Sequence, residues 1–323
     1  MDTDTKRVFN KFFFENPTFF LEVSRIKCDV SQCVLPQQVL KEVVIKIYPS
    51  IANLFSDYVS RRISTKNFLL SLQDLKRQLS QEVLNSDLHL WCKMLELKIV
   101  PFISLVNRVL STPTLSPDIY FYVSTSLNKI KVMSNIEKKI LNEKLDFIKG
   151  RRKLIEIEGR LLGYPECCIQ NFIRSKESTP AESKLIIECI ECGVFNVLLN
   201  SLEKSEVQPF YSFFTSNFYP CSIKCRKAIK IGKKLDECLD EYFLAFRIRT
   251  MINALYYLTT AYKSFKLSQG EYKEVIKDFF SDIDPKWLKF LEEIKDSIIN
   301  LTEYTNVFIR RILKNYKMYK ESA

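Results

Sequence analysis

The sequence predicts an all-α, multi-helix protein, and three observations carry this prediction. Glycine occurs only 6 times in 323 residues, against a usual share of about 7%, and both hairpin-rich sheets and phosphate-binding βαβ folds use glycine in their turns. Apolar residues recur three and four positions apart, as they do on the inner face of a helix. Lysine, glutamate, leucine and isoleucine dominate the composition, which suits helices joined by short connections.

The pattern of the first half predicts amphipathic helices that are separated at prolines. Helical spacing of apolar residues runs over 38–47 and 60–98. The segment 111–118 has the composition of a loop, and Asp118 is placed to cap a helix that follows it. A further helix is expected over 135–149, ending at Gly150. Helices should stop at the prolines, which stand at positions 17, 36, 49, 101, 113 and 117.

A change in composition near Gly150 suggests two regions, an N-terminal helical region at 1–150 and a cysteine-bearing helical region at 151–323. The segment 154–235 contains four of the six glycines, and seven of the ten cysteines lie in it or just beyond it. After it, the spacing of apolar residues predicts helices over 240–262, 272–280 and 285–319.

Two short segments of the second region share a Tyr-Pro pair followed by cysteines. One is Gly163-Tyr-Pro-Glu-Cys-Cys168 and the other is Phe218-Tyr-Pro-Cys-Ser-Ile-Lys-Cys225. Proline is at home in the first turn of a helix, so we expect Cys167, Cys168 and Cys221 in first turns, with Cys225 one turn further along. The partial positive charge of a helix N-terminus stabilises thiolates.

Two such helix ends facing each other would present four thiolates, Cys167, Cys168, Cys221 and Cys225. This donor set suits either a tetrahedral zinc ion or a [4Fe–4S] cluster. Adjacent cysteines diverge by about 100° on a helix, and this divergence favours the larger iron–sulfur cluster. Two alternatives stay open: a disulfide between the helices (Cys168–Cys221 or Cys167–Cys225), and cysteines that are simply small buried apolar residues.

Cys189 and Cys192 form a second candidate pair. Thr179-Pro180-Ala181-Glu182 resembles a capping box, and Gly193 is a natural residue to end the helix. The pair therefore lies at a helix C-terminus, beside two glutamates, where thiolates are disfavoured. A redox enzyme built on this pair would need a thiol of depressed pKa.

The cysteine motifs resemble those of a known family. The segments Gly159-Arg-Leu-Leu-Gly-Tyr-Pro-Glu-Cys-Cys-Ile-Gln-Asn-Phe172 and Tyr219-Pro-Cys-Ser-Ile-Lys-Cys225 are similar to the LGYPxCC and PCSxxC motifs of the archaeal and bacterial family called DUF483. The resemblance covers roughly residues 155–235. It implies that the four cysteines form one site, and it implies no activity because the function of the family is unknown.

Basic charge is the other conspicuous property of this chain. It has 49 Lys and Arg against 38 Asp and Glu, a formal net charge of +11, which favours a polyanionic partner such as RNA or DNA. The candidate contacts flank the cysteine motifs; they are Arg151, Arg152, Lys224, Arg226, Lys227, Lys230, Lys233 and Lys234. A C-terminal run, Arg310 to Lys320, alternates cations with tyrosines, and a solvated helix face explains it better.

The remaining features narrow the function classes. The single histidine, His89, lies on an apparent amphipathic helix and is expected to be structural, which argues against Ser-His-Asp, Cys-His and histidine-rich metal sites. The sequence has no P-loop and no GxGxxG. Neither a signal peptide nor a run of about 20 apolar residues occurs, so a cytoplasmic location and no membrane are expected. The composition is compatible with an archaeal source. We expect a metal-binding protein that associates with nucleic acid, with RNA modification as a natural setting, or alternatively a disulfide- or zinc-stapled scaffold for protein partners.

Overall fold

The computed structural model describes residues 3–36, 40–108, 115–126, 128–175, 181–216, 218–267 and 273–322. Helices dominate these residues, so the predicted helical fold class is confirmed. The α-helices of the described residues are α1 (Thr3–Phe12), α2 (Pro17–Lys27), α3 (Lys41–Val59), α4 (Thr65–Leu84), α5 (Asp87–Met94), α6 (Asn128–Leu141), α7 (Phe147–Leu161), α8 (Glu166–Ser175), α9 (Ala181–Glu191), α10 (Val194–Glu203), α11 (Arg226–Leu239), α12 (Phe243–Leu267), α13 (Lys273–Ser281), α14 (Pro285–Ile294) and α15 (Leu301–Ser322).

A small antiparallel sheet accompanies the helices, and the sequence did not predict it. Its strands are β1 (Cys33–Val34), β2 (Lys98–Val106) and β3 (Leu115–Ser124), in the order β1-β3-β2. Asp118 lies inside β3 opposite Ser104, so the expected helix cap at Asp118 was wrong. The run from Ile119 to Val123 is β-branched or aromatic throughout, which favours a strand packed on both faces.

Helix α3 continues through Pro49, where the sequence predicted a helix end. Ile47 and Ile51, on either side of the proline, are buried, and α3 packs against α4. Tertiary burial of this apolar face outweighs the hydrogen bond that proline cannot donate, a cost of about 3 kcal/mol. Near the C-terminus, the helix predicted over 285–319 is two helices, α14 and α15, with a 3-10 turn at Ser297–Asn300.

The chain divides into two compact units. One comprises Asp2–Phe12 and Arg25–Ile169, and the other comprises Phe13–Ser24 and Gln170–Ala323. Each unit has a hydrophobic core of its own, around Met133 and Tyr122 in the first and around Leu258 and Phe195 in the second. The division falls within α8, and the boundary predicted near Gly150 stays a prediction.

Helix α12 forms the centre of the second unit, where it carries a buried ion pair. Arg249 is 1% exposed and its Nη1 lies 2.9 Å from Oε1 of Glu22 in α2. Thr215 donates a hydrogen bond of 2.7 Å to the same oxygen, and Arg249 also donates to the carbonyl of Phe214. These contacts tie α2, the 214–215 segment and α12 together.

Among the described residues, no single helix is long and apolar enough to cross a membrane. The bent pair α9 and α10, which meet at 69°, reaches the required length and apolar composition only when the two are taken together.

Candidate metal centre

The first cysteine pair lies in the first turn of α8, as the sequence predicted. Helix α7 ends at Leu161, and the amide of Tyr164 donates to the carbonyl of Gly159 at 2.9 Å. The chain then turns through Gly163 into Pro165, whose carbonyl accepts from the amide of Cys168 at 2.9 Å. Proline thus starts α8 and leaves Cys167 and Cys168 on its first turn.

Gly163 makes this turn sterically feasible. Its φ is +74°, a conformation that costs other residues about 1–2 kcal/mol. A Cβ atom at this position would lie 2.1 Å from the carbonyl oxygen of Val30. The glycine of the Gly-Tyr-Pro motif is therefore required both by its backbone conformation and by the close approach of another chain segment.

The second cysteine pair lies in a turn that precedes α11, which differs from the prediction. Helix α11 begins at Arg226, so Cys225 is its N-cap, and its carbonyl accepts from the amide of Ile229 at 2.9 Å. Cys221 lies immediately before a tight turn, which is closed by a 3.0 Å hydrogen bond from the amide of Cys225 to the carbonyl of Ser222. The expected helical first turn at Cys221 was therefore wrong.

Glu188 of α9 explains why the chain turns at this place instead of forming a helix. Its Oε2 accepts the amide of Ile223 at 3.0 Å, and its Oε1 accepts the hydroxyl of Ser222. Ser222 Oγ in turn accepts the amide of Lys224 at 3.0 Å. The sequence reasoning missed Glu188, because no local motif links it to a segment more than thirty residues away.

An aromatic stack joins α8 to the second cysteine segment. The rings of Phe172 and Tyr219 are stacked with centroids 5.9 Å apart, and Tyr219 packs edge-on against Tyr257 of α12. Burial raises the pKa of Tyr219, and the nearby Glu182 adds to the increase. The C-terminal part of α8, from Gln170, and the second cysteine segment thus pack within the same unit.

The four predicted cysteines form one cluster. The Sγ atoms of Cys167, Cys168, Cys221 and Cys225 all lie within 4.8 Å of one another, and those of the adjacent pair are 3.9 Å apart. None of the four is disulfide-bonded in the structure. Cys168 and Cys225 are buried, Cys221 is half-buried and Cys167 is exposed. Four thiols at this spacing can bind a metal with a complete thiolate shell.

Cys189 and Cys192 lie apart from this cluster, at the end of α9. Cys189 is buried, and its burial, together with Glu188 and Cys192, raises the pKa of its thiol. A redox enzyme would need the opposite direction. Gly193 follows with a φ of +67°, which confirms it as a helix-ending glycine. The predicted capping box at 179–182 lies partly outside the described residues.

The candidate nucleic-acid contacts fall into two groups. Those in and before α11 have exposed side chains throughout; they are Lys224, Arg226, Lys227, Lys230, Lys233 and Lys234. Arg151 is instead buried, and its Nε donates to the carbonyl of Asn107 at 2.7 Å. Arg152 is exposed and pairs with Glu156 at 3.4 Å. Only the α11 group presents a continuous set of exposed cations.

Comparison with known proteins finds similarity to a family of unknown function. An uncharacterized protein of Methanocaldococcus jannaschii is 32% identical over 88 residues, which cover 25% of this chain and 40% of that protein. The chain thus aligns with less than half the length of this relative. No solved structure matches significantly. Residues 103–253, which include all four clustered cysteines and α11, match the model of the family described as "Protein of unknown function (DUF483)", and this confirms the resemblance predicted from the cysteine motifs.

Proposed function

We propose that Cys167, Cys168, Cys221 and Cys225 bind a single tetrahedral metal ion, with zinc as the occupant. The observation that carries this proposal is the spacing of their Sγ atoms, all within 4.8 Å of one another. With Zn–S bonds of about 2.3 Å, the four sulfurs of a tetrahedral site lie about 3.8 Å apart. A small contraction of the cluster, led by the adjacent pair at 3.9 Å, would reach that geometry.

The same spacing favours one ion over the iron–sulfur cluster that the adjacent cysteines suggested. In a [4Fe–4S] cluster each thiolate binds a different iron, which separates the sulfurs by roughly 6 Å. The Sγ atoms of Cys167 and Cys168 lie 3.9 Å apart although the two residues are neighbours on α8. The expected divergence of the two side chains therefore no longer favours an iron–sulfur cluster over a single ion.

The proposed role of the ion is to fix the start of α11. Cys225 is the N-cap of this helix, so a metal bound to its thiolate would set the position of the first helical turn. Three ligands of the set are buried or half-buried, as in a structural site with a closed shell.

Helix α11 would then bind nucleic acid, with RNA as the proposed partner. Its exposed cations begin beside Cys225 and continue for two helical turns, from Lys224 to Lys234. Lysine and arginine neutralise phosphates independently of base sequence. Participation in RNA modification or processing is part of this proposal, and no residue identifies a reaction. A cytoplasmic location remains part of this proposal.

Metal and sulfide analysis tests the metal proposal. We expect about one zinc ion per chain in the wild type and none in the Cys167→Ser/Cys221→Ser variant. Cys192→Ser is the matched control, because Cys192 is exposed and lies outside the cluster, and it should retain the zinc. Iron with acid-labile sulfide would replace the single ion by a cluster, and a metal-free wild type would reject the metal site.

Salt-dependent binding of a labelled single-stranded RNA tests the second part. Arg226→Gln/Lys230→Gln/Lys233→Gln should weaken binding and reduce the slope of log K against log salt by about two, since each phosphate contact contributes about 0.7. The control Lys273→Gln/Lys277→Gln/Lys289→Gln removes the same charge from exposed residues of α13 and α14. Equal effects of the two variants would leave only a general charge effect, and the alternative scaffold for protein partners would then gain support.

A further inference from the structure

The turn that leads into the first cysteine pair is held by a distant segment of the chain. We call residues 161–164, between α7 and α8, the motif turn, and residues 25–32, at and after the end of α2, the clamp segment. Both belong to the same compact unit. The amide of Gln32 donates to the carbonyl of Leu161 at 2.9 Å. Gly163 lies in the same contact, where a Cβ atom would meet the backbone of the clamp segment at 2.1 Å.

Arg25 contributes to this contact with its side chain. It is 1% exposed, and its Nη2 donates to the carbonyl of Leu162. The same guanidinium lies over the ring of Tyr164, 5.5 Å from the ring centroid. A hydrogen bond from a charged donor is worth roughly a factor of ten to a hundred in an equilibrium constant, and a cation–π contact strengthens away from water. One side chain thus holds the motif turn on both sides of Gly163.

The backbone of Arg25 closes the clamp segment as well. Its carbonyl accepts the amide of Val30 at 2.8 Å and the amide of Ser31 at 3.0 Å. These two hydrogen bonds fold the chain back at the end of α2 and place the carbonyl of Val30 against Gly163. Arg25 therefore fixes the conformation of the clamp segment through its main chain and the conformation of the motif turn through its side chain.

We propose that Arg25 is a positioning residue for Cys167 and Cys168, an inference that rests on the proposed metal site. Pro165 follows Tyr164 directly, and its carbonyl accepts the amide of Cys168 at 2.9 Å. Holding Tyr164 therefore fixes the place at which α8 begins and, with it, the first two ligands. The site would then depend on a residue that lies outside the 103–253 segment matched by the family.

The zinc affinity of variants, measured by competition with a chelator, tests the effect on the ligands. Arg25→Met should bind zinc roughly 10- to 100-fold more weakly, the loss typical of groups that orient metal ligands. Arg25→Lys should recover part of this loss, because an ammonium can still donate to the carbonyl of Leu162 but lacks the planar fork. Lys27→Met is the matched control, since it removes a cation from the clamp segment and should bind zinc as the wild type does.

A second variant addresses the same contact at lower risk to folding. Tyr164 is half-buried, and Tyr164→Leu removes the ring that lies under the guanidinium of Arg25. This variant should weaken zinc binding severalfold. It should also weaken the sulfur-to-cobalt charge-transfer band of the cobalt(II) form, because that band grows with the number of bound thiolates. Wild-type affinity in Tyr164→Leu and in Arg25→Met would overturn the proposal.

Amide hydrogen exchange in the metal-free full chain separates this inference from the metal site. In Arg25→Met the amides of Tyr164 and Cys168 should exchange about ten- to a hundredfold faster, while those of β2 and β3, in the same unit, keep their protection. Equal acceleration throughout the unit would show that Arg25 only stabilises the fold and would overturn the proposal, as would unchanged exchange at Tyr164 and Cys168. A wild type that binds no zinc would instead reject the metal site, and exchange would still decide whether Arg25 holds the motif turn.

Discussion

At the scale of single residues, Glu188 holds the turn that lies between the second pair of cysteines. Its carboxylate accepts from Ser222 and Ile223, which lie between Cys221 and Cys225. Groups that orient metal ligands from outside are commonly worth a factor of 10–100 in metal affinity. Glu188 is thus a positioning residue of the proposed site.

Glu188→Gln should weaken zinc binding by roughly 10- to 100-fold, because an amide offers one acceptor oxygen where the turn needs two. Competition with a coloured chelator measures this affinity. Glu191→Gln, on the exposed side of the same helix, is the control and should bind zinc as the wild type does. An unchanged affinity in Glu188→Gln would show that the turn holds its shape without the carboxylate.

Gly163 and Gly193 separate two reasons why a position requires glycine, a positive φ and the lack of space for a Cβ atom. Both have positive φ, but a Cβ at Gly163 would meet the carbonyl of Val30 at 2.1 Å, whereas a Cβ at Gly193 would meet nothing within 4 Å. We expect Gly193→Ala to cost about 1–2 kcal/mol of unfolding free energy and Gly163→Ala to cost clearly more. Urea unfolding of the two variants measures the difference, and equal losses would contradict the close approach.

At the scale of elements, the ion pair between α2 and α12 stabilises the fold only while both charged side chains are present. Arg249→Met would remove the ion pair with the buried Glu22, which should cost about 3–5 kcal/mol. Adding Glu22→Gln should recover part of the loss, because a buried charge is then removed. Chemical denaturation of the single and double variants measures this, and a double variant less stable than Arg249→Met would show that the charge of Glu22 is not the cause.

Most helices and the four candidate cysteines were predictable from the sequence, because apolar periodicity and the Tyr-Pro-Cys motifs are local patterns. Apolar periodicity placed most helices, and the Tyr-Pro pairs marked the four cysteines. The errors arose where distant contacts decide the local conformation. Strand β3 forms at Asp118 because β2 pairs with it, α3 passes through Pro49 because its apolar face is buried, and the turn at Cys221 forms because Glu188 lies opposite it.

At the scale of the whole molecule, the metal proposal predicts a ligand-dependent stability. An ion that binds only the folded chain stabilises it by about 2.7 kcal/mol when its concentration is 100 times the Kd. Calorimetry in zinc and after removal of zinc by a chelator should therefore give two different Tm values, the lower without metal. The Cys167→Ser/Cys221→Ser variant should give one Tm in both conditions. A chelator-independent Tm in the wild type would contradict a stabilising ion.

The position of Cys225 at the N-cap of α11 has a consequence for spectroscopy. With cobalt(II) in place of zinc, the paramagnetic centre would be attached to the N-cap residue of α11. Amide resonances in the first turns of α11 would then be perturbed most strongly, because paramagnetic effects weaken steeply with distance and each residue adds a rise of about 1.5 Å. The perturbed resonances would report distances from the cobalt ion along the basic helix. Bound RNA could be located in the same way, from those of its own resonances that the cobalt ion shifts.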